Sequence, residues 1–158
     1  MTSEITFQVE RVTDILGEVK PLIEAHWEEI ALYKDQFPLN PDYEKYKAMD
    51  AAGALHAVTA RTADDELIGY YISFIMPHLH YQDCIIAMND ILFLREDYRH
   101  GRVGMKMIGF AEQELRKLGV HRMMMHVKVQ HDFSPMLLRM GYTESERCFE
   151  KLLSGRIK

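Results

Sequence analysis

Cysteine, proline and surplus positive charge are all scarce in this chain, and each shortage closes off a class of function. Cys84 and Cys148 are its only cysteines, too few for a disulfide framework. A net charge of −5 over 158 residues provides no overall basic field to attract nucleic acid or an anionic membrane. No apolar run is long enough to span a bilayer, and the N-terminus lacks a secretory leader pattern. A cytoplasmic, disulfide-free protein is therefore expected. Neither a GxxxxGK[ST] phosphate loop nor a GxGxxG dinucleotide fingerprint occurs, and repeats and low-complexity tracts are missing. What is present, 47% hydrophobic residues in 158, suits one domain, residues 1–158, around one substantial core. The 11 methionines sit mostly in apolar runs and read as adaptable core filler rather than metal ligands.

One stretch organises the rest. Ile91-Leu92-Phe93-Leu94 suits a buried strand, Arg95 to Gly104 is a polar turn with two glycines, and Met105 to Gly119 is amphipathic. Strand, turn, helix is the order that aims a helix N-terminus at an anion. The N–H groups at such a start lack partners, and the helix dipole puts its positive end behind them. Gly101 and Gly104 let the backbone approach closely, while Arg99, His100 and Arg102 add charge and donors. A diphosphate is the natural guest.

Around that stretch the chain reads β-α-α-β-β-β-α-β-α-β. Ile5 to Val12 alternates as a half-buried strand. Ile15 to Leu32 is helical, with Val19, Leu22, Ile23, His26, Trp27 and Ile30 on one stripe, and Asp42 to Ala51 is a second helix. Ala54–Arg61, Leu67–Met76 and Cys84–Leu94 read as an antiparallel meander, with residues 77–83 as its second turn. After the amphipathic helix come a strand over Val120–Val129, a short helix over Asp132–Met140, with Asp132 as its candidate N-cap, and a final strand or hairpin over Tyr142–Leu153. The strand-helix-strand unit is a right-handed crossover, so the α/β (α+β) fold has a mixed, mostly antiparallel sheet flanked by helices.

Arg99-x-x-Arg102-x-Gly104 after a strand and before a helix resembles the acetyl-CoA loop, [Q/R]-x-x-G-x-[G/A], of the GNAT (Gcn5-related) N-acetyltransferases. One departure is that Arg102 takes the place of a glycine, with Gly101 one position earlier. Met140-Gly141-Tyr142 is similar to the Leu-Gly-Phe that ends the last helix in that family, and the element order from about residue 5 to 153 is the family's too. The resemblance implies acetyl-CoA as co-substrate and a primary amine as acceptor, with a homodimer possible. It also implies that Leu92, Phe93 and Leu94 offer backbone groups to the pantetheine through a bulge, where their strand splays from the parallel one. Arg99, His100, Gly101, Arg102, Val103, Gly104 and Met105 would hold the diphosphate, and Gln130 stands where the family has a cofactor asparagine.

Acetyl transfer by direct attack needs a neutral amine, and a lysine-like amine with a pKa near 10.4 costs about 4.6 kcal/mol to deprotonate at pH 7. A nearby base is thus valuable. Asp90 interrupts an apolar run and falls where many members of the family carry a strand glutamate as base; capping the bulge or pairing with a histidine is the alternative. The family's usual tyrosine acid corresponds to Leu137, which leaves Tyr142, Ser134 and His131 as substitutes by proximity. Trp27, Glu28 and Tyr33 could receive the acceptor, as could His78 and His80 at a hairpin tip. No carboxylate or cysteine joins those histidines at ligand spacing, so no metal is expected. A catalytically weak acyl-CoA-binding or regulatory module is the competing function.

Overall fold

The apolar-rich runs that read as strands become a sheet whose strands follow chain order. The computed structural model describes residues 4–155 and 157. In it β1 (Thr6–Glu10), β2 (Leu55–Arg61), β3 (Leu67–His78), β4 (Tyr81–Leu94) and β5 (Arg122–Met124) form one sheet in the order β1-β2-β3-β4-β5. The first three junctions are antiparallel and β4–β5 is parallel, so the sheet is mixed and mostly antiparallel. The helices are α1 (Val12–Ile30), α2 (Tyr43–Ala51), α3 (Val103–Lys117) and α4 (Ser134–Arg139).

The backbone falls into two compact units. One takes residues up to Lys20 with Asp42–His126, and so the whole sheet, α2 and α3; the other takes Pro21–Pro41 and residues from Val127 onward. In the first unit, Met107, Ala111 and Leu115 of α3 are buried with Val58, Ala60, Ile68, Tyr71 and Ala87 of the sheet. Their i, i+4, i+8 spacing along α3 is the cause: it places them on one face. α3 stops at Gly119, which takes φ +79 while Val120 N–H reaches back to the Leu115 carbonyl at 3.1 Å, a Schellman ending. The same device ends α4, with Gly141 at φ +92 and Tyr142 N–H on the Leu137 carbonyl at 3.0 Å.

Three differences from the sequence expectation have physical reasons. The turn expected over residues 77–83 shrinks to Leu79-His80, because β3 runs on to His78 and β4 begins at Tyr81. Pro77 is tolerated there because the ladder is irregular between Pro77 and His78. The strand expected over Val120–Val129 is confined to Arg122–Met124, the length over which β4 offers it a ladder. Beyond α4, the closing strand expected over Tyr142–Leu153 makes no ladder. A strand is held by cross-strand pairs and a buried face, and here Phe149 and Leu153 are 89% and 92% exposed while Arg147 pairs locally with Glu144 at 2.8 Å.

Gly69 of β3 lies close against β4. A Cβ there would lie 2.8 Å from Leu94 Cδ1 and 2.9 Å from the Phe93 carbonyl oxygen, so a larger residue would press into the end of β4. Gly69→Ala is expected to destabilise the fold by about 1–3 kcal/mol through overpacking, read as a lower urea midpoint. An unchanged midpoint would mean that β4 yields without cost.

Candidate active site

Two breaks in β4 build the site. β4 pairs with β5 only from Ile86 to Met88, and past Met88 the two strands part. Asn89 marks the parting: its amide Nδ2 donates to the His126 carbonyl at 3.1 Å, and its Oδ1 accepts from His126 N–H at 2.5 Å. A side chain thus replaces the next rung, and the β4 edge beyond it has no β5 partner.

The second break falls on the next residue. Opposite β4, Ile72 pairs with Ile91 and Ser73 with Asn89, which leaves Asp90 as the extra residue of a β-bulge. Bulges re-aim a side chain, and Asp90, half-buried, accepts a hydrogen bond from the Tyr46 hydroxyl of α2. Burial raises the Asp90 carboxyl above the usual aspartate value, and the Tyr46 bond opposes that rise. Burial and the Asp90 carboxylate together raise the Tyr46 phenol. Tyr70 lies close enough that burial, Tyr43 and Asp90 raise its phenol as well, yet its hydroxyl is buried without a hydrogen-bond partner.

α2, which carries Tyr46, is capped at its start and tethered near its end. Asp42 caps its start by accepting from Lys45 N–H at 2.9 Å, and Asp50 accepts from the amide and hydroxyl of Thr13 at 3.0 and 2.6 Å. Tyr43, one turn before Tyr46, carries the Lys20 ammonium 4.5 Å from its ring centroid.

The loop after β4 fits a diphosphate. A 3-10 turn, Glu96–Tyr98, leads to Arg99, His100 and Gly101, the last at φ +68. Arg102 is the N-cap of α3 and makes no side-chain cap bond, and no acidic residue stands in the first turn. The amides of Val103, Gly104 and Met105 therefore open the helix, and the first backbone closure is Lys106 N–H to the Arg102 carbonyl at 2.9 Å. Exposed His100, Arg102 and Lys106 surround this end. Arg99 Nε donates to the Leu94 carbonyl at 2.6 Å, with its guanidinium 5.8 Å from the Phe93 ring centroid. Phe93 is buried, while Leu92 and Leu94 are half-buried against the core.

The other candidates are each placed in local company. His78 and His80 lie at the tip of the β3–β4 hairpin with ring centroids 5.5 Å apart, and Tyr81 is 4.8 Å from His78. In the second unit, Trp27 and Glu28 are already engaged by a cation of the chain itself: the Lys34 ammonium is 5.2 Å from the Trp27 ring centroid and 2.8 Å from Glu28 Oε2. Tyr33 is exposed at φ 57, its carbonyl accepting from Gln36 and Phe37 at 2.9 Å. Gln130 donates from Nε2 to the Ile30 carbonyl at 2.8 Å at the end of α1. Asp132 accepts from Ser134 N–H at 2.8 Å and Phe133 is the N-cap of α4, so the carboxylate serves one residue earlier than a standard cap. Leu137 is buried and Tyr142 half-buried.

Sequence reasoning singled out Asp90 but not Tyr46, Tyr70 or Asn89. Tyr43 and Tyr46 share one face of a short helix, but nothing in that spacing points to Asp90.

Comparison with known proteins agrees with the fold. The chain is similar to a ribosomal-protein-alanine N-acetyltransferase from Brucella melitensis biovar Abortus 2308, at 14% identity and TM-score 0.75, over 97% of this chain and 99% of that one. An aminoglycoside acetyltransferase from an uncultured soil metagenomic sample, in complex with sisomicin, aligns at 14% identity and TM-score 0.73, over 95% and 97% of the two chains. A predicted acetyltransferase from Clostridium acetobutylicum, solved with acetyl-CoA, aligns at 13% identity and TM-score 0.69, also over 95% and 97%. At such identities these likenesses show the fold. No curated protein sequence matches. The model of the acetyltransferase (GNAT) family matches residues 20–142, which include the bulge, the loop and α3, and the chain belongs to that family.

Proposed function

We propose that this chain transfers an acetyl group from acetyl-CoA to a primary amine by direct attack, with Asp90 as the base. The observation that carries the reading is a half-buried carboxylate on a bulge, placed where β4 loses its β5 partner. Bound acetyl-CoA would supply the activated acyl thioester. The amides of Val103, Gly104 and Met105, with His100, Arg102 and Lys106 around them, would hold its diphosphate, and the open edge at Leu92–Leu94 would meet its pantetheine. Asp90 then takes the proton that the amine must lose. The leaving thiol, with a pKa around 8.5, asks for about 2 kcal/mol at pH 7, so an acid such as Tyr142 would assist without being indispensable.

Because the solved relatives act on aminoglycosides and on a protein alanine, the test is CoA release with both small-molecule amines and peptide lysines or N-termini. Acetyl-CoA, and not ATP or NAD, should raise the melting temperature. Gly104→Val is expected to weaken acetyl-CoA binding tenfold or more with the fold intact, because a branched side chain would stand among the diphosphate-facing amides. Unchanged affinity by calorimetry would remove the loop assignment. The buried Leu137 and the Gln130–Ile30 bond favour the second reading, an acyl-CoA-binding module. Tight acetyl-CoA binding with no turnover on any amine would establish that reading instead.

A further inference from the structure

The base proposed above rests on a partner that no sequence feature announced. Burial disfavours the ionised form of a half-buried carboxylate, so a neighbour that favours its charge matters to a base. Two phenols stand near Asp90, Tyr46 from α2 and Tyr70 from β3, and Tyr43 lies near both of them. Of these, Tyr46 makes the hydrogen bond. Its helix is capped by Asp42 at its start and tethered to Thr13 by Asp50 near its end, so the hydroxyl reaches Asp90 from a capped and anchored helix.

We propose that Tyr46 is the positioning residue of this base: its hydroxyl holds Asp90 in the proton-accepting state and stays bonded, by turning from donor to acceptor, once the proton has arrived. A phenol can play both parts, because its oxygen donates one hydrogen and accepts another. In the resting site Tyr46 O–H donates to the carboxylate. When the amine nitrogen bonds to the acyl carbon and the C–S bond breaks, the CoA leaves as its thiolate and the N–H proton passes to Asp90, whose new O–H donates to the Tyr46 oxygen. One proton has moved, the negative charge has passed from Asp90 to the leaving thiolate, and the two oxygens need not separate. The Tyr46 phenol is itself held above its ordinary range, so it keeps its proton through the working pH range and does not compete for the role of base. The inference rests on the reading of Asp90 as the base.

The experiment follows the Asp90 carboxyl by carbon NMR in the free protein, labelled at aspartate, alongside the pH profile of kcat/KM. In Tyr46→Phe the Asp90 midpoint should rise by about one pH unit or more, since a hydrogen bond that favours the anion is gone. The acid limb of the profile should move upward with it. Tyr70→Phe, which removes a neighbouring hydroxyl that makes no hydrogen bond, should move the midpoint far less. Incorporating 3-fluorotyrosine at position 46 should lower the midpoint, because a more acidic phenol is a better donor; this arm keeps the test decisive if Tyr46→Phe folds poorly. An unmoved midpoint in Tyr46→Phe, or an equal shift in Tyr70→Phe, would overturn the inference. Failure of the base reading looks different: Asp90→Asn would then retain its acid limb, while the midpoint shift in the free Tyr46→Phe protein would stand.

Discussion

Asp90→Asn is expected to lower kcat by about 10² to 10⁴, the usual range for loss of a positioned general base, with acetyl-CoA affinity unchanged. Asparagine keeps the size of the side chain and an oxygen for the Tyr46 hydroxyl to donate to, so the bulge and the open strand edge should persist. What goes is the proton acceptor. In the parent protein, activity should fall as pH drops through the raised Asp90 value, because the carboxylate is then protonated before the amine arrives. In Asp90→Asn that acid limb should vanish. Steady-state kinetics across pH, with acetyl-CoA binding measured in parallel, checks both statements, and a retained kcat with an intact acid limb would remove Asp90 from the chemistry.

The same substitution should leave the protein slightly more stable. Asp90 is raised in the folded state by burial, so across the window from the unfolded aspartate value up to the folded one, the native protein holds more protons than the unfolded chain. Stability is therefore lost as pH rises through that window, and above it the loss is complete. Asparagine carries no such loss. A higher melting temperature at pH 7 that converges with the parent at acid pH would be the signature of a side chain kept for reactivity at the expense of stability.

How much of this was legible in the sequence depends on whether a residue announces itself locally. Asp90 did, because a charge inside an apolar strand calls for an explanation. The start of α3 did, because glycines and basic residues between a strand and an amphipathic helix make a local pattern, and Gly119 and Gly141 marked their helix ends by the conformation they supply. Tyr46 did not. A tyrosine on a short polar helix carries no message about a carboxylate 44 residues away, and the meeting depends on how Thr13, Asp42 and Asp50 hold α2. Asn89 was masked by its neighbour. An asparagine beside an aspartate in a strand reads as one polar interruption, whereas the fold uses one to close the parting strands and the other to occupy the bulge. The tail from Tyr142 failed in the opposite sense: alternation promised a strand, but pairing needs a ladder partner that local sequence cannot guarantee.

Arg61 is the clearest case of a residue whose weight only the fold reveals, and Arg61→Met is expected to cost about 3–5 kcal/mol. Its side chain is 6% exposed and pairs with Glu10 of β1, Glu18 of α1 and Asp65 of the β2–β3 turn. Nε donates to Glu10 at 2.9 Å; one terminal nitrogen reaches Glu18 and the Asp65 carbonyl, both at 2.9 Å; the other reaches Glu18 at 2.8 Å and Glu10 at 3.2 Å. All five guanidinium hydrogens are thereby engaged, and Thr59 donates to Glu10 as well. Methionine fills comparable volume but leaves Glu10 and Glu18 facing one another without a cation. The pH dependence gives the mechanism a separate test. Burial pushes Glu10 upward, but the bonds from Arg61 and Thr59 outweigh it and the carboxyl ends below its ordinary value; Glu18 is lowered chiefly by its bond from Arg61. Groups lowered on folding contribute stability that is present above their unfolded value and is lost as pH falls through the folded one. The parent should thus lose this contribution on acidification, whereas Arg61→Met, having already lost it, should show a flatter stability profile below about pH 4.5. Chemical denaturation at neutral and acid pH measures the gap between the two proteins; a gap that stays constant across that range would assign the cost to packing rather than to charge.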